Sequence, residues 1–167
     1  MYAANLQQIY SSNPNGKPFK GWIINISRDS KSEKDEYLHN QHRVLDITLS
    51  SQNVNYSEIT TTLGKQKLYE KFGIQSKKHP LFLITNKYPE DCTQNDRLIV
   101  VEWGKSTDIE QFREDVMALA YQFNNPDFMD LLSKANNKKD WDKVLKYLKD
   151  NGPTIIKIGV SILLALL

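Results

Sequence analysis

PLFLITN (Pro80–Asn86) and RLIVVEW (Arg97–Trp103) decide the fold. Each is a short unbroken apolar run rich in branched and aromatic residues, the pattern of a strand covered on both faces. The segment between them, KYPEDCTQND (Lys87–Asp96), carries turn formers and no helical period. The two strands are therefore predicted to be antiparallel neighbours.

Working back toward the N-terminus, a helix is predicted over about Ser57–Phe72, with Ile59, Leu63, Leu68 and Phe72 on its buried side. Gly73 stands where a left-handed cap is needed, and Ile74 can pack back on the last turn. VLDITLS (Val44–Ser50) alternates, with Leu45, Ile47 and Leu49 opposite Val44, Asp46 and Thr48, and reads as a half-buried strand. GWIINIS (Gly21–Ser27) reads as another, with Trp22, Ile24 and Ile26 on one face. The polar stretch 28–42 between them offers a helix capped by Ser32, with Asp35 in its first turn and only Tyr37 and Leu38 to bury. A short helix over Ala3–Tyr10 and the turn-rich SSNPNGKP precede all of this.

Toward the C-terminus, Thr107 and Glu110 form a capping-box pair. They open a helix over about Asp108–Asn124, with Ile109, Phe112, Val116, Leu119, Ala120 and Phe123 at helical spacing. Asn125-Pro126 supplies a cap and first-turn proline for a helix over Pro126–Lys134. Another helix, about Asp140–Asp150, aligns Trp141, Val144, Leu145 and Leu148, and Gly152-Pro153 ends it.

The order strand, helix, strand, helix, strand, strand, helix implies an α/β fold with a four-stranded mixed sheet, its first two strands parallel across a right-handed crossover. The run Lys71-Phe72-Gly73-Ile74, then Pro80-Leu81-Phe82-Leu83-Ile84, then a strand ending at Gly104 and an amphipathic helix, resembles the thioredoxin-like fold over about residues 20–124. That resemblance implies a cis peptide before Pro80. It also implies a CxxC motif after the first strand, but this chain reads Arg28-Asp29-Ser30-Lys31-Ser32 there. Dithiol exchange needs a thiolate and a resolving thiol, so redox activity is excluded. The chain divides into an N-terminal segment (1–19), the α/β domain (20–124), a helical hairpin (125–152) and a hydrophobic C-terminal helix (153–167).

Composition sets the class. The 167 residues are 40% hydrophobic and 25% charged, values of a globular protein. A net charge of +2 is too small to indicate nucleic-acid binding. The single cysteine, Cys92, cannot form an internal disulfide and fits a reducing, cytoplasmic setting. The N-terminus lacks the basic-then-apolar pattern of a signal peptide. Six carboxylates and one arginine fall between Thr107 and Leu132, and seven lysines with three aspartates between Ser133 and Lys157. These read as two mutually attractive solvated helix faces, or, for the basic one, as a patch facing anionic lipid.

The tail TIIKIGVSILLALL (Thr154–Leu167) holds ten aliphatic residues and one charge. A spanning helix needs about 20 apolar residues, whereas this one would reach about 21 Å at 1.5 Å per residue. On a helical wheel Thr154, Lys157, Ser161 and Ala165 fall within about 80° of one another. The tail is therefore expected to be an interaction helix. Its contacts would be Ile155, Ile156, Lys157, Ile158, Val160, Ser161, Ile162, Leu163, Leu164, Leu166 and Leu167. Trp141 joins them as a candidate aromatic anchor, although packing of the hairpin on the core explains it as well.

Other constellations are weaker. Glu36, His39 and His42 stand at spacings of three, but a hydrated helix face accounts for them better than a metal. Asp29, Glu33, Asp35 and Glu36 lack an apolar wall to shift a pKa. Cys92 has no neighbouring base or helix N-terminus to activate it. No cofactor is expected. The expected function is a non-catalytic adaptor or regulatory module. Its tail would meet a protein partner, another copy or an anionic membrane, placing the chain in the cytoplasm, at a membrane surface or inserted in one. A membrane-disrupting effector and an enzyme with a dispersed site are the alternatives.

Overall fold

The computed structural model describes residues 1–26, 32–74, 80–93, 96–103 and 108–151, and the backbone of 156–162. The chain is α/β. Its strands are β1 (Tyr2–Ala3), β2 (Gly21–Ile26), β3 (Val54–Ile59), β4 (Leu81–Thr85), β5 (Arg97–Trp103) and β6 (Ile156–Ile162). Its helices are α1 (Glu33–Ser50), α2 (Thr62–Phe72), α3 (Ile109–Gln122), α4 (Pro126–Lys134) and α5 (Lys138–Asn151). The sheet runs β1-β3-β2-β4-β5-β6. β3 is parallel to β1 and β2, whereas the β2–β4, β4–β5 and β5–β6 pairs are antiparallel.

Strands β2, β4 and β5 form where expected, and the β4–β5 pair is antiparallel as read. The alternating stretch 44–50 is not a strand but the end of α1. Asp35, Leu38, His42, Leu45 and Leu49 recur at spacings of three and four and form the helix's buried face. Val44 and Ile47, the other apolar residues there, are left outside at 46% and 59% exposure. No glycine or proline interrupts 33–50, so the helix extends through it. Ser32 caps it by accepting from the Asp35 N–H.

The second parallel strand is instead β3, whose last three residues overlap the helix expected over Ser57–Phe72. Asn53, at φ +61°, turns the chain out of α1. Its side chain donates to the Pro18 carbonyl at 2.5 Å and accepts from Asn13 Nδ2 at 2.8 Å. Thr61, not an upstream residue, caps α2 by accepting from the Gly64 N–H at 3.0 Å. Leu68 and Phe72 are buried as predicted, but Leu63 is exposed. Gly73 takes the left-handed cap, and the Ile74 N–H reaches back to the Tyr69 carbonyl at 2.9 Å. At the chain start, the expected Ala3–Tyr10 helix is β1 followed by a 3-10 turn at Leu6–Gln8.

The sheet separates two cores. One face carries Ile23, Tyr56, Phe82, Ile99, Val101 and Trp103 against α1, α3, α4 and α5. Phe82, Trp103 and Phe112 meet edge to face at 5.1 and 5.0 Å between centroids, each such pair worth about 0.5–1.5 kcal/mol beyond its area. The other face packs Trp22, Ile24, Leu81, Leu83 and Leu98 against α2 and the N-terminal segment. The α4–α5 hairpin belongs to the first core through Phe128, Leu132, Trp141, Val144 and Leu148. Asn86, just past β4, fixes it there. Its Nδ2 donates to the Leu132 and Ala135 carbonyls, each at 2.8 Å, adding to the Ala135 N–H that Leu132 already accepts at the helix end.

Candidate functional site

The tail is organised by the sheet. Ile156–Ile162 is strand β6, antiparallel to β5 along seven consecutive residue pairs. This corrects the expected C-terminal helix, and with it the four-strand sheet. The sequence IKIGVSI (Ile156–Ile162) alternates strictly between branched aliphatic and other residues, a period of two that belongs to a strand. Ile156, Ile158 and Val160 are the register partners of Trp103, Val101 and Ile99, three β5 residues of the larger core. Lys157, Gly159 and Ser161 are the partners of Glu102, Val100 and Leu98. Ile162 stands opposite Arg97. The helical stripe through Lys157 and Ser161 is thus replaced by alternate positions along one strand. Ile155, Leu163, Leu164, Leu166 and Leu167 lie outside the described residues.

Trp141 does not share this edge. It is 2% exposed within the larger core, so it is a packing residue and not an interfacial anchor. Pro80 is buried immediately before β4, and its carbonyl accepts from the Trp103 N–H at 3.5 Å. The bond that precedes it involves His79, which lies outside the described residues.

Of the polar stretch 28–42, the described residues 32–42 contribute more than solvated surface; Asp29 lies outside the described residues. Asp35 and His42 are each 5% exposed. Asp35 Oδ2 accepts from Ser32 Oγ at 2.6 Å, completing the cap. His42 Nδ1 lies 3.4 Å from Glu58 Oε2, and the Tyr2 ring stacks on its imidazole with centroids 3.8 Å apart. The amino group of Met1 donates to the Tyr56 carbonyl at 2.5 Å and stands 3.6 Å from Asp46. Burial lowers that amine's pKa, and Asp46 offsets part of the shift. Burial, with Glu58 nearby, pushes the Tyr56 phenol far above its usual range, and its hydroxyl accepts from Asn25 Nδ2 at 3.3 Å. Among the described residues no group of three or more His, Cys, Asp or Glu could hold a metal ion.

A second buried polar group sits on α3. Asp115, 1% exposed, accepts from Gln111 Nε2 at 2.9 Å. Burial raises its pKa, while Gln111 and the indole of Trp103 hold the rise back. Asp108 caps this helix by accepting from the Gln111 N–H at 2.8 Å, one residue beyond the expected Thr107 cap. Cys92 is a buried free thiol whose pKa is also raised by burial. It donates to the Tyr88 carbonyl at 3.6 Å.

The burial of His42 and Asp115, and the half-buried Glu58 beside His42, were missed. For His42 the signal was present, since it sits on the line of Leu38, Leu45 and Leu49 once the helix is carried past residue 42. Asp115 lies between Phe112 and Leu119 on the same apolar stripe. Glu58 falls within the helix expected over Ser57–Phe72 and carries no comparable sign.

Two shallow grooves of ≈ 440 and ≈ 430 Å³ open on the surface, one at Lys20, Asn124 and Asp130, the other at Glu36, Tyr37 and Arg113. Among the described residues no helix is long and apolar enough to cross a membrane. No family model matches the chain, and neither curated proteins nor solved structures give a match.

Proposed function

We propose that this chain is a non-catalytic, thioredoxin-like interaction module whose apolar C-terminal strand is its assembly edge, working in a reducing compartment such as the cytoplasm. The observation that carries the reading is the pairing of Ile156–Ile162 along the whole of Arg97–Trp103, which makes the apolar tail the outermost strand of the sheet. An outermost strand has one row of backbone donors and acceptors turned away from its neighbour, ready to add another strand.

The thioredoxin-like part draws support from the order β3-β2-β4-β5, with β2 and β3 parallel and joined by α1. The antiparallel β4–β5 pair follows α2 and precedes α3. Pro80 stands at the entry to β4, where that family carries its proline. The non-catalytic part draws on Cys92, a buried thiol held protonated by its surroundings and engaged with backbone carbonyls, the opposite of an activated nucleophile.

The test compares the intact chain with a 1–152 truncation, with far-UV circular dichroism to establish that the remainder folds. Sedimentation velocity, liposome co-sedimentation and partner recovery should show loss of association on truncation. If the truncated and intact chains behave alike in all three, the reading is abandoned. Association with liposomes alone would assign the tail to lipid and not to protein.

A further inference from the structure

We propose that the partner of β6 is β6 of a second copy, paired antiparallel about a two-fold axis through Gly159 so that two sheets become one. This rests on the reading of β6 as an assembly edge and names its occupant.

Three observations favour a second copy. First, the two outer strands of the sheet are unlike. β1 is two residues long, too short to template a partner, whereas β6 runs seven residues without a proline. Its one charge is Lys157, so of the residue types that blunt an edge the strand carries a single lysine and no proline. Second, the segment is complementary to itself. Centring the antiparallel register on Gly159 matches all seven residues, with Ile156 opposite Ile162, Lys157 opposite Ser161, and Ile158 opposite Val160. Aliphatic meets aliphatic and the two lysines stay apart, whereas a register centred on Lys157 would set them face to face. A closed two-fold pairing of this kind is the commonest way for identical chains to associate. Third, Gly159 lies mid-strand with its ladder unbroken, so it marks no bulge. A strand glycine without a bulge suits a place where another backbone comes close, and in this register Gly159 meets Gly159 on the axis.

Ser161 gives a selective test in the full-length chain. Its register partner within the chain is Leu98, but across the axis it faces Lys157 of the second copy. Ser161→Lys places two like-charge pairs across the dimer, and Ser161→Glu places two opposite-charge pairs there. By the usual worth of cross-strand charge pairs, Ser161→Lys should raise the dimer dissociation constant about tenfold and Ser161→Glu should lower it about threefold. Sedimentation equilibrium over a concentration series reads both, and the shifts should shrink at high salt. A disturbance of β6 itself would weaken association in both variants alike, and that result overturns the proposal. A monomeric intact chain overturns it too. If the intact chain is monomeric but still loses a protein or lipid partner on truncation, the assembly-edge reading survives without the two-fold. If truncation changes nothing, both fall.

Discussion

His42 on α1 and Glu58 on β3 face each other with Nδ1 3.4 Å from Oε2, their side chains 7% and 15% exposed, under the ring of Tyr2. The pair joins the helix to the strand that the sequence hides best. Removing one member leaves the other buried without its counterpart. Glu58→Ala should therefore destabilise the fold by about 1–3 kcal/mol. A double-mutant cycle with His42→Ala in urea should return a coupling of about 0.5 kcal/mol or more. Additive single effects would show the two side chains to be independent.

The burial of Asp115 sets the sign of a pH dependence. Its carboxyl titrates above the ordinary aspartate value of 3.8 because it is buried. A group whose pKa is raised by folding opposes folding when both states are ionised, and the penalty disappears once both are protonated. Asp115→Asn should thus raise Tm at neutral pH. The gain should shrink as pH falls through the raised pKa and vanish below 3.8. A gain that grows on acidification would contradict this.

Trp141 separates packing from contact. Trp141→Ala should cost about 3–5 kcal/mol in chemical denaturation, as removal of a buried indole does. Under conditions where the variant remains folded, its association should match that of the unaltered chain. A stable variant with lost association would return Trp141 to the surface.

Lys157 stands opposite Glu102 in the β5–β6 register. Glu102→Lys should weaken attachment of β6 by about 0.2–1 kcal/mol through like-charge repulsion. Faster amide exchange over 156–162 is the readout. Adding Lys157→Glu should restore protection, and a failure to restore it would argue against this register.

Two glycines give contrasting costs. A Cβ on Gly64 would stand 2.0 Å from the Ala4 carbonyl oxygen, so Gly64→Ala must displace the N-terminal segment at about 1–3 kcal/mol. Gly73 has open space around it but sits at φ +61°. Gly73→Ala should cost about 1 kcal/mol, from the backbone alone. Thermal melts distinguish the two, and only Gly64→Ala should loosen β1.

Of the strands that read correctly, β4 and β5 are buried on both faces, and their unbroken apolar runs admit little else. The caps at Gly73 and Asn125 were also legible, because each rests on chemistry local to one turn. The failures have physical causes. In 44–50 two periods coexist, and only packing against β3 selects the helical line through Leu45 and Leu49. In 54–59 the polar Asn55, Ser57 and Glu58 mask a strand that nevertheless buries Val54, Tyr56 and Ile59. The candidate edge was legible as composition but not as conformation. Ile156–Ile162 alternates like a strand, yet LLALL beyond it suggests a helix, and the deciding partner, β5, lies more than fifty residues earlier. Strand preference of this kind is set by neighbours and not by the segment.

Asn86 has a consequence for cooperativity. Its one amide holds the end of α4 from across nearly fifty residues of chain. The α4–α5 hairpin is thereby latched to the central sheet. Asn86→Leu would take the side-chain donor from both carbonyls, leaving Leu132 only the Ala135 N–H, and release the latch. The hairpin would then open as a unit ahead of global unfolding, turning a single melting transition into two.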